Sequence, residues 1–475
     1  MKSIVINKAN IHNLKNVSVE VPLHKLVVVV GPSGSGKTSL IYDLVYKFSK
    51  GEKVDCGISK LPPVFAIGQK VVVPKKLMMS LGEYNLQRLD EILKGLKKDD
   101  LLIVDEPCAG LSVRESGDVL EKLKKIVKEG KSVIAIEHSK EIIKGADYVI
   151  EFGPKSGKYG GEIIFQGSLV QFKKSKSVTA DYVFLNKAKV AHYQRGATTK
   201  KTSGKKKFVT LNKVNKNNLE NYTFKFPLRS LVCVFGDSGT GKTTILGVVY
   251  STLFKGRNAW KIREKNVLDK NIVGKQNVRR TYLVDQSPIA THPTSRPVTY
   301  LGIWDSVRDS YANLTESKKQ KLVKSDYIVT KKILDGVETF SSKVLSVKYK
   351  GVNIRELLMM TIDEAIEVFS DSKLITRKLG FLQEVGLGYL TLGQKSDSLS
   401  GGEAQRVRLA KVLSKKLGDR CVYILDTPTK GLHLSDLPVL VNVLQKIIDK
   451  NNTVLVADNK IEIIKNSDYV IDMNK

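Results

Sequence analysis

The same sequence pattern occurs twice along the chain, and this repeat strongly limits the folds that it can adopt. GPSGSGKT at residues 31–38 is matched by GDSGTGKT at residues 236–243, and the offset between the two is 205 positions. At the same offset, NLKN (13–16) is matched by NLEN (218–221). Each glycine-rich stretch follows a short apolar run, LVVVV or LVCVF, which is typical of a strand that leads through a tight loop into a helix.

Two further matches follow in the same order. VDEPCAGL (104–111) corresponds to LDTPTKGL (425–432), and KEIIKGADYVIEF (140–152) corresponds to IEIIKNSDYVIDM (461–473). Both copies also contain continuous apolar runs, which are typical of parallel strands that are buried on both faces. Ordered matches of this kind predict an α/β protein built from two copies of one unit.

The positions of the repeats divide the chain. We expect a first domain at residues 1–185, a linker at 186–207 and a second domain at 208–475. The linker stretch is polar and rich in lysine, which is typical of a connecting segment. The second copy contains extra sequence between its glycine loop and its later motifs, and we predict a mostly helical insertion at about 252–395.

Both glycine-rich stretches fit the phosphate-binding pattern G-x-x-x-x-G-K-[ST]. Glycine lets backbone amides turn towards phosphate oxygens at a helix N-terminus, the lysine reaches the β and γ phosphates, and the threonine binds Mg²⁺. The predicted nucleotide-binding residues are Gly31, Gly34, Gly36, Lys37 and Thr38 in the first copy and Gly236, Gly239, Gly241, Lys242 and Thr243 in the second.

Two aspartates end apolar strands further along. Asp105 follows LLIV and Asp426 follows YIL, and at such positions a carboxylate can hold Mg²⁺ through water. A strand-end carboxylate can also cap a turn, so this alternative stays open. Together with Thr38 and Thr243, these aspartates are the predicted Mg²⁺ ligands.

Cysteine spacing and hydropathy exclude several other classes. The four cysteines are far apart and form no CxxC pair, so we expect neither zinc nor a disulfide framework. No apolar run approaches the roughly 18–20 residues that span a bilayer, and the first residues lack the apolar core of a signal peptide. We therefore expect a cytoplasmic protein without a membrane span.

The chain is strongly basic. Its 79 Lys and Arg residues against 48 Asp and Glu residues give a formal net charge of +31. Such a surface attracts a polyanion, most simply nucleic acid. The alternative is a set of solvated lysines without a partner, and composition alone does not separate the two.

Residues 399–409, LSGGEAQRVRL, resemble the signature motif of ABC proteins in the form that UvrA proteins use; UvrA is the damage-sensing subunit of the bacterial excision-repair nuclease. The stretches VDQSPIATHPTSRPVTY (284–300), VKYKGVNIRELLMMTIDEAIEVF (347–369) and VGLGYLTLGQ (385–394) are similar to UvrA as well. This resemblance implies two tandem ABC-type P-loop NTPase domains that sandwich two ATP molecules. Each ATP site would join the nucleotide-binding motifs of one half to the signature of the other.

The resemblance implies a complete first composite site. Glu106, directly after the Mg²⁺-binding aspartate, would polarise the attacking water, and His138 would contact the γ-phosphate. Gln69 would occupy the position of the Q-loop glutamine. The site would comprise Gly34, Gly36, Lys37, Thr38, Ser39, Gln69, Asp105, Glu106 and His138, with Ser400, Gly401, Gly402 and Glu403 from the opposite signature.

The second composite site departs from the family pattern. Thr427 stands at the position of the catalytic glutamate, and Asn459 stands at that of the histidine. The opposing signature would be MSLGEYNLQRL (79–89), in which Leu81 replaces the first signature glycine. The site would comprise Gly239, Gly241, Lys242, Thr243, Thr244, Gln286 and Asp426, with Ser80 from the opposite half. We therefore predict hydrolysis at one site only.

The resemblance also implies partners. Members of the family bind duplex DNA, often as dimers, so duplex DNA and a homodimer are expected here. Only 10 residues separate Gln69 from Ser80, where the family carries the docking region for UvrB, so classical UvrB docking is not expected. Two alternatives remain: an ABC ATPase that protects the cell from an antibiotic, and a ribosome-associated ABC protein.

Overall fold

The computed structural model describes residues 2–68, 81–155, 157–184, 207–254, 271–284, 289, 292–415 and 418–474. The chain separates into two compact units. The first unit comprises Met1–Leu283 and Arg420–Lys475, and the second comprises Val284–Asp419. Sequence segments far apart along the chain thus form the first unit.

A six-stranded sheet forms the centre of the first repeat. Its strand order is β5-β6-β7-β3-β8-β9, the first five strands are parallel, and β9 runs antiparallel to β8. The side chains of β3, β6 and β7 are all buried, as continuous apolar sequences require of strands covered on both faces. The strands are β3 (Leu26–Val30), β5 (Val64–Ile67), β6 (Leu101–Asp105), β7 (Ser132–Ile136), β8 (Tyr148–Gly153) and β9 (Glu162–Ser168).

A five-stranded sheet forms the centre of the second repeat. Its order is β14-β15-β16-β12-β17, and β15, β16, β12 and β17 are parallel neighbours. The order of the shared strands matches that of the first repeat, so the duplication is present in the fold. The strands are β12 (Leu231–Phe235), β14 (Arg280–Val284), β15 (Cys421–Asp426), β16 (Thr453–Ala457) and β17 (Tyr469–Asp472).

A small antiparallel sheet accompanies each central sheet. The orders are β2-β1-β4 and β11-β10-β13. In both repeats, the inward-facing residues of this sheet share one apolar core with the central strands and with the helical segment that follows the glycine loop. The strands are β1 (Ser3–Ala9), β2 (Val17–Pro22), β4 (Gly57–Ile58), β10 (Phe208–Lys216), β11 (Leu219–Pro227) and β13 (Ile272–Val273).

The helices complete both units, and the π-helical segment Ser39–Tyr46 precedes the first of them. In chain order they are α1 (Lys47–Ser49), α2 (Leu81–Leu93), α3 (Val113–Lys128), α4 (Lys140–Gly145), α5 (Leu169–Lys173), α6 (Val178–Phe184), α7 (Lys242–Leu253), α8 (Pro297–Tyr300), α9 (Trp304–Ala312), α10 (Thr315–Lys319), α11 (Lys331–Leu334), α12 (Ser342–Ser346), α13 (Ile354–Met359), α14 (Ile362–Val368), α15 (Lys373–Glu384), α16 (Gly401–Ser414), α17 (Leu437–Ile448) and α18 (Ile461–Asn466). None of the helices in the described ranges is long and apolar enough to cross a membrane.

The second unit is helical, and α8 to α16 lie within it. Aromatic side chains form much of its interior, and Tyr311 and Tyr327 are fully buried. The Tyr311 hydroxyl donates to the Val352 carbonyl oxygen over 2.9 Å, so burial of this ring leaves its polar atom satisfied. This unit carries the signature helix α16.

Candidate functional site

The first glycine loop begins directly after β3 and has a backbone that only glycine fits. Gly31 has a φ of +132°, and a Cβ there would lie 2.3 Å from the carbonyl oxygen of Phe152. Gly36 has a φ of +106°, and its Cβ would lie 2.6 Å from Leu14. The Lys37 side chain folds back over the loop, and its Nζ donates to the carbonyl oxygens of Gly31 and Pro32 over 2.7 Å each. The lysine cation is thereby held over the glycine loop.

The second glycine loop repeats this arrangement. Lys242 Nζ donates to the carbonyl oxygens of Gly236 and Asp237 over 2.6 Å each, and burial lowers the pKa of this lysine. Thr243 Oγ1 donates to Asp426 Oδ2 over 2.9 Å. A threonine hydroxyl and an aspartate carboxylate therefore meet at the start of α7, and oxygen ligands of this kind suit Mg²⁺.

The strands that end in the predicted Mg²⁺-binding residues Asp105 and Asp426 are called the Walker B strands, and the turn that follows each of them has the same backbone in both repeats. Glu106 has a φ of +50° and Thr427 a φ of +47°, both in the left-handed region that disfavours ordinary side chains. Their backbone N–H groups donate to Ile136 and Ala457 over 2.9 and 2.8 Å. The two repeats thus present different side chains from one and the same turn.

The Asp105 and Glu106 side chains are both buried, at 9% and 8% exposure. Burial, and secondly the neighbouring Glu106 carboxylate, raise the pKa of Asp105 to about 8, whereas Lys37 opposes the shift. Two adjacent buried carboxylates repel one another, so a nearby cation or a bound proton stabilises them. This is the electrostatic setting in which a divalent cation binds well.

A buried carboxylate, which directly follows the neighbouring strand, accepts hydrogen bonds from the segment after each of these turns. Glu137 Oε1 accepts from the Cys108 backbone N–H over 2.7 Å, and Oε2 accepts from those of His138 and Ser139 over 2.6 and 2.8 Å. In the second repeat, Asp458 accepts from Thr429 and from the Lys460 backbone N–H. Sequence reasoning missed both residues, although each directly follows an apolar strand.

Two buried histidines lie against one another beside the first site. The rings of His138 and His433 meet edge to face, with their centroids 5.5 Å apart. His433 Nε2 lies 3.0 Å from Thr179 Oγ1, whereas His138 Nδ1 is a buried atom for which the described part of the chain provides no hydrogen-bond partner. Burial lowers the pKa of His433 to about 3 and that of His138 well below its ordinary value, so both rings are neutral at pH 7.

His433 was not predicted as a site residue. It lies in the second repeat, close in space to the first site, and no motif signals such a contact. At the position equivalent to His138, Asn459 Oδ1 accepts from the Gly236 backbone N–H over 3.0 Å. Asn459 thus supports the second glycine loop directly.

Within the first unit, each glycine loop contacts the other repeat. Ser33 Oγ donates to the Gly431 carbonyl oxygen over 2.6 Å, and the Ser238 backbone N–H donates to Glu115 Oε1 over 2.9 Å. Ser33 and Ser238 occupy equivalent positions, 205 residues apart. The two repeats therefore contact one another reciprocally through their glycine loops.

Lys430, which sequence reasoning also missed, lies at this contact. It lines one cavity with Asp105 and Glu106 and a second cavity, of about 100 Å³, with Glu106, His138 and Thr427. Burial lowers the pKa of Lys430, and the carboxylates of Glu106 and Asp426 oppose this shift. A comparison of the aligned repeats would have signalled this residue, because the equivalent position holds Ala109.

The remaining predicted residues fall into three groups. Gln69, Ser80 and Gln286 lie outside the described residues. Thr38 precedes the π-helical segment that Ser39 begins, and Thr244 Oγ1 accepts from Asn217 Nδ2 over 3.1 Å. The signature residues Ser400, Gly401, Gly402 and Glu403 lie in the second unit, at the start of α16.

The signature helix begins with a capping box. Ser400 Oγ accepts from the Glu403 backbone N–H over 3.2 Å, and the Glu403 carboxylate accepts from that of Ser400 over 2.8 Å. Gly402 is buried. The signature sequence therefore forms a well-defined helix N-terminus.

The buried histidines generate a pH dependence of stability. The folded-state pKa of His433, about 3, lies below the ordinary value of about 6.5, so the unfolded chain binds its proton first as the pH falls. The contribution of His433 to the free energy of unfolding is fully present above pH 6.5. It decreases by about 1.4 kcal/mol for each pH unit between that pH and about 3. We expect the difference in urea-unfolding midpoint between pH 7.5 and pH 5.5 to be smaller in His433→Asn than in the unchanged protein. The exposed His292→Asn serves as the control, and an equal difference in all three proteins would contradict this account.

Comparisons with known proteins agree with this architecture. A family model described as "ABC transporter" matches residues 219–430. The chain is 36% identical over 403 residues to UvrABC system protein A of Clostridium tetani (strain Massachusetts / E88), covering 78% of this chain and 42% of the relative. To UvrABC system protein A of Clostridium perfringens (strain 13 / Type A) it is 36% identical over 426 residues, covering 83% and 44%. The chain thus spans less than half the length of these curated relatives.

Among solved structures, UvrA2 from Deinococcus radiodurans has a TM-score of 0.81 with 21% sequence identity, and the match covers 99% of this chain and 95% of that chain. At this level of identity the likeness establishes the fold. The sequence relatives, the family model and the fold agree with one another. The chain is therefore UvrA-like: each of its two repeats has the ABC-type P-loop NTPase fold, and the second repeat carries a helical insertion, Val284–Asp419.

Proposed function

We propose that this chain is an ATPase that binds duplex DNA and hydrolyses ATP at one of its two composite sites. The observation that carries the proposal is the pair of matched turns, which present Glu106 in one repeat and Thr427 in the other. A carboxylate can accept a proton from water, whereas a threonine hydroxyl cannot act as a general base at neutral pH. The asymmetry therefore lies in the chemistry and not in the fold.

ATP and Mg²⁺ fit the residues present. Lys37 and Lys242 are held over the glycine loops, where they would pair with the β and γ phosphates. Thr243 and Asp426 already meet, and Thr38 and Asp105 occupy the equivalent positions. Bound Mg²⁺ would neutralise phosphate charge and so favour attack at the γ-phosphorus.

Hydrolysis at the first site follows from the positions of two side chains. Glu106 would orient a water molecule and accept its proton as the oxygen attacks the γ-phosphorus and the bond to the ADP oxygen breaks. His138, which is neutral and has a buried ring nitrogen available, would hydrogen-bond the γ-phosphate. At the second site, Thr427 and Asn459 are engaged with Asp426 and with Gly236, which supports ATP binding there without turnover.

Lys430 would assist from the opposite repeat. Its ammonium lies close enough to Glu106 and Asp426 to interact electrostatically with both. A cation beside Glu106 favours the ionised carboxylate, which is the form that accepts the proton. We therefore assign Lys430 a positioning role.

Duplex DNA is the proposed partner. The formal charge of +31 supports binding of a polyanion. The resemblance to UvrA implies that the protein recognises the shape and deformability of the duplex and not its base sequence. A homodimer and a preference for damaged duplex belong to the same proposal. The short stretch between Gln69 and Ser80 supports DNA binding without the usual UvrB docking.

Replacing Glu106 tests the catalytic asymmetry. Glu106→Gln should lower kcat for ATP about 100-fold or more, because it removes the general base and retains the shape of the side chain. The matched control in the other repeat, Thr427→Ala, should retain a rate within about twofold of the unchanged protein. A Glu106→Gln variant with a large part of the original rate would rule out the proposed site.

The role of Lys430 is testable through the pH profile. Lys430→Met removes the charge and should move the acid limb of the kcat profile upward by about one pH unit, because Glu106 then ionises less readily. Lys430→Arg, which keeps the charge, should restore the original profile. If Lys430→Met lowers the rate by the same factor at every pH, the residue acts only through packing.

DNA coupling is testable by a salt series. We expect duplex DNA to change the steady-state ATPase rate and the effect to fade between about 50 mM and about 200 mM salt, because phosphate contacts release counterions. A lesion-bearing duplex should produce the larger change if the protein senses damage. A rate that responds to ribosomes and not to duplex DNA would overturn the DNA proposal and favour the ribosome-associated alternative.

A further inference from the structure

The second unit contains a cavity of about 320 Å³ that is separate from the ATP-site residues. It lies between the start of α8, the start of α9 and the segment before α11. Arg296, Trp304 and Arg308 contribute its polar wall, and Ile328 and Val329 contribute apolar surface. We infer that this cavity binds an oxyanion of the phosphate class.

Arg296 is the central residue of the cavity. It is only 2% exposed, and its guanidinium lies over the Trp304 ring, 4.2 Å from the centroid. Its Nε and Nη1 are buried and have no hydrogen-bond partner among the residues that the structure describes. A buried guanidinium is costly unless an anion or acceptor satisfies it, so an acceptor-rich ligand bound at these N–H groups would be stabilised.

The main chain holds Arg296 in this position. Its backbone N–H donates to Thr299 Oγ1 over 2.9 Å, and the same hydroxyl donates to the Arg296 carbonyl oxygen over 2.8 Å. Pro297 then begins α8. These contacts hold the Arg296 backbone at the start of α8, and its side chain is buried over Trp304.

Two further donors line the same cavity. Arg308 Nε and Trp304 Nε1 are buried and likewise have no hydrogen-bond partner within the described ranges. The Arg308 guanidinium also forms an ion pair with the exposed Asp305 carboxylate. Guanidinium and indole N–H groups donate and never accept, so a ligand that meets all of them must be rich in acceptors.

The local charge identifies the class of ligand. Lys378 Nζ donates over 2.7 Å to the carbonyl oxygen of Gly302, which also lines the cavity. Among the described residues that line the cavity or donate to its lining, the cations Arg296, Arg308 and Lys378 and the carboxylate of Asp305 leave two positive charges. Burial, and secondly the charge of Arg308, lower the pKa of Arg296 to about 10, so it remains charged at neutral pH. A phosphate group, with up to two negative charges and oxygens that pair well with guanidinium, matches this surplus.

The phosphate group can belong to a small ion or to a nucleic-acid backbone, and both offer the same oxygens to Arg296. The inference does not rest on DNA binding, because inorganic phosphate alone tests it. It also does not rest on ATP hydrolysis, since none of the cavity residues belongs to the ATP sites. Failure of either proposal therefore leaves the other standing.

Trp304 provides the readout. The sequence contains two tryptophans, so Trp260→Phe leaves Trp304 as the single indole fluorophore, beneath the Arg296 guanidinium. Titration of the full chain with inorganic phosphate, at ionic strength held constant with chloride, should give a saturable change in Trp304 emission. In the same background, Arg296→Gln should weaken phosphate affinity about tenfold or more, whereas the exposed Arg355→Gln should leave it unchanged.

Arg308→Gln, a change at a less buried position, provides the second variant and should also weaken phosphate affinity. A short duplex that competes with phosphate for the Trp304 signal identifies the backbone as the source, and a duplex that does not compete identifies a small phosphate ion. Both results support the site. Two results would overturn the site. One is an identical Trp304 emission in phosphate and in chloride, and the other is an equal phosphate affinity in the three arginine variants and their parent.

Discussion

A buried carboxylate at the end of a central strand organises each candidate ATP site. Glu137 accepts three backbone N–H groups from two separate segments, and Asp458 performs the same task in the second repeat. Hydrogen bonds of this kind compensate for the removal of the carboxylate from water, and they lock the segment after the Walker B strand onto the neighbouring strand. The backbone at Glu106 and at Thr427 is left-handed in both repeats although the side chains differ, so we attribute it to these hydrogen bonds and not to the side chain at that position.

Because the backbone of the turn does not depend on that side chain, the two repeats can carry different side chains at matched positions while they retain one fold. Thr427 hydrogen-bonds Asp426, and Asn459 hydrogen-bonds the Gly236 backbone, so the residues that replace a carboxylate and an imidazole act locally as structural groups. Lys430 is a further difference, since its equivalent in the first repeat is Ala109. The matched turns therefore differ in charge: Lys430 adds a positive charge close to Glu106, and Thr427 places a hydroxyl where the first repeat places a carboxylate.

The sequence predicts the features that depend on local constraints. Continuous apolar runs predict the buried parallel strands, and the glycines at 31, 36, 236 and 241 stand where the backbone takes positive φ values. The residues that it misses act through distant contacts. Ser33 meets Gly431 across 398 positions, and His433 meets Thr179 across 254. Arg296 lies in the stretch 284–300 that is similar to UvrA, but the sequence does not predict that its guanidinium is buried over the Trp304 ring.

The contact between the repeats also links the two sites physically. The Gly431 carbonyl oxygen accepts from Ser33 in the first glycine loop, and Lys430 is the residue directly before Gly431. The hydrogen bond between Ser33 and Gly431 therefore lies directly beside Lys430, which lines the same cavities as Glu106. In the reverse direction, Glu115 follows the first Walker B segment and accepts from Ser238 in the second glycine loop. Each glycine loop is therefore joined to the opposite repeat, through Ser33 in one direction and through Ser238 in the other, so the two candidate sites are physically connected in both directions.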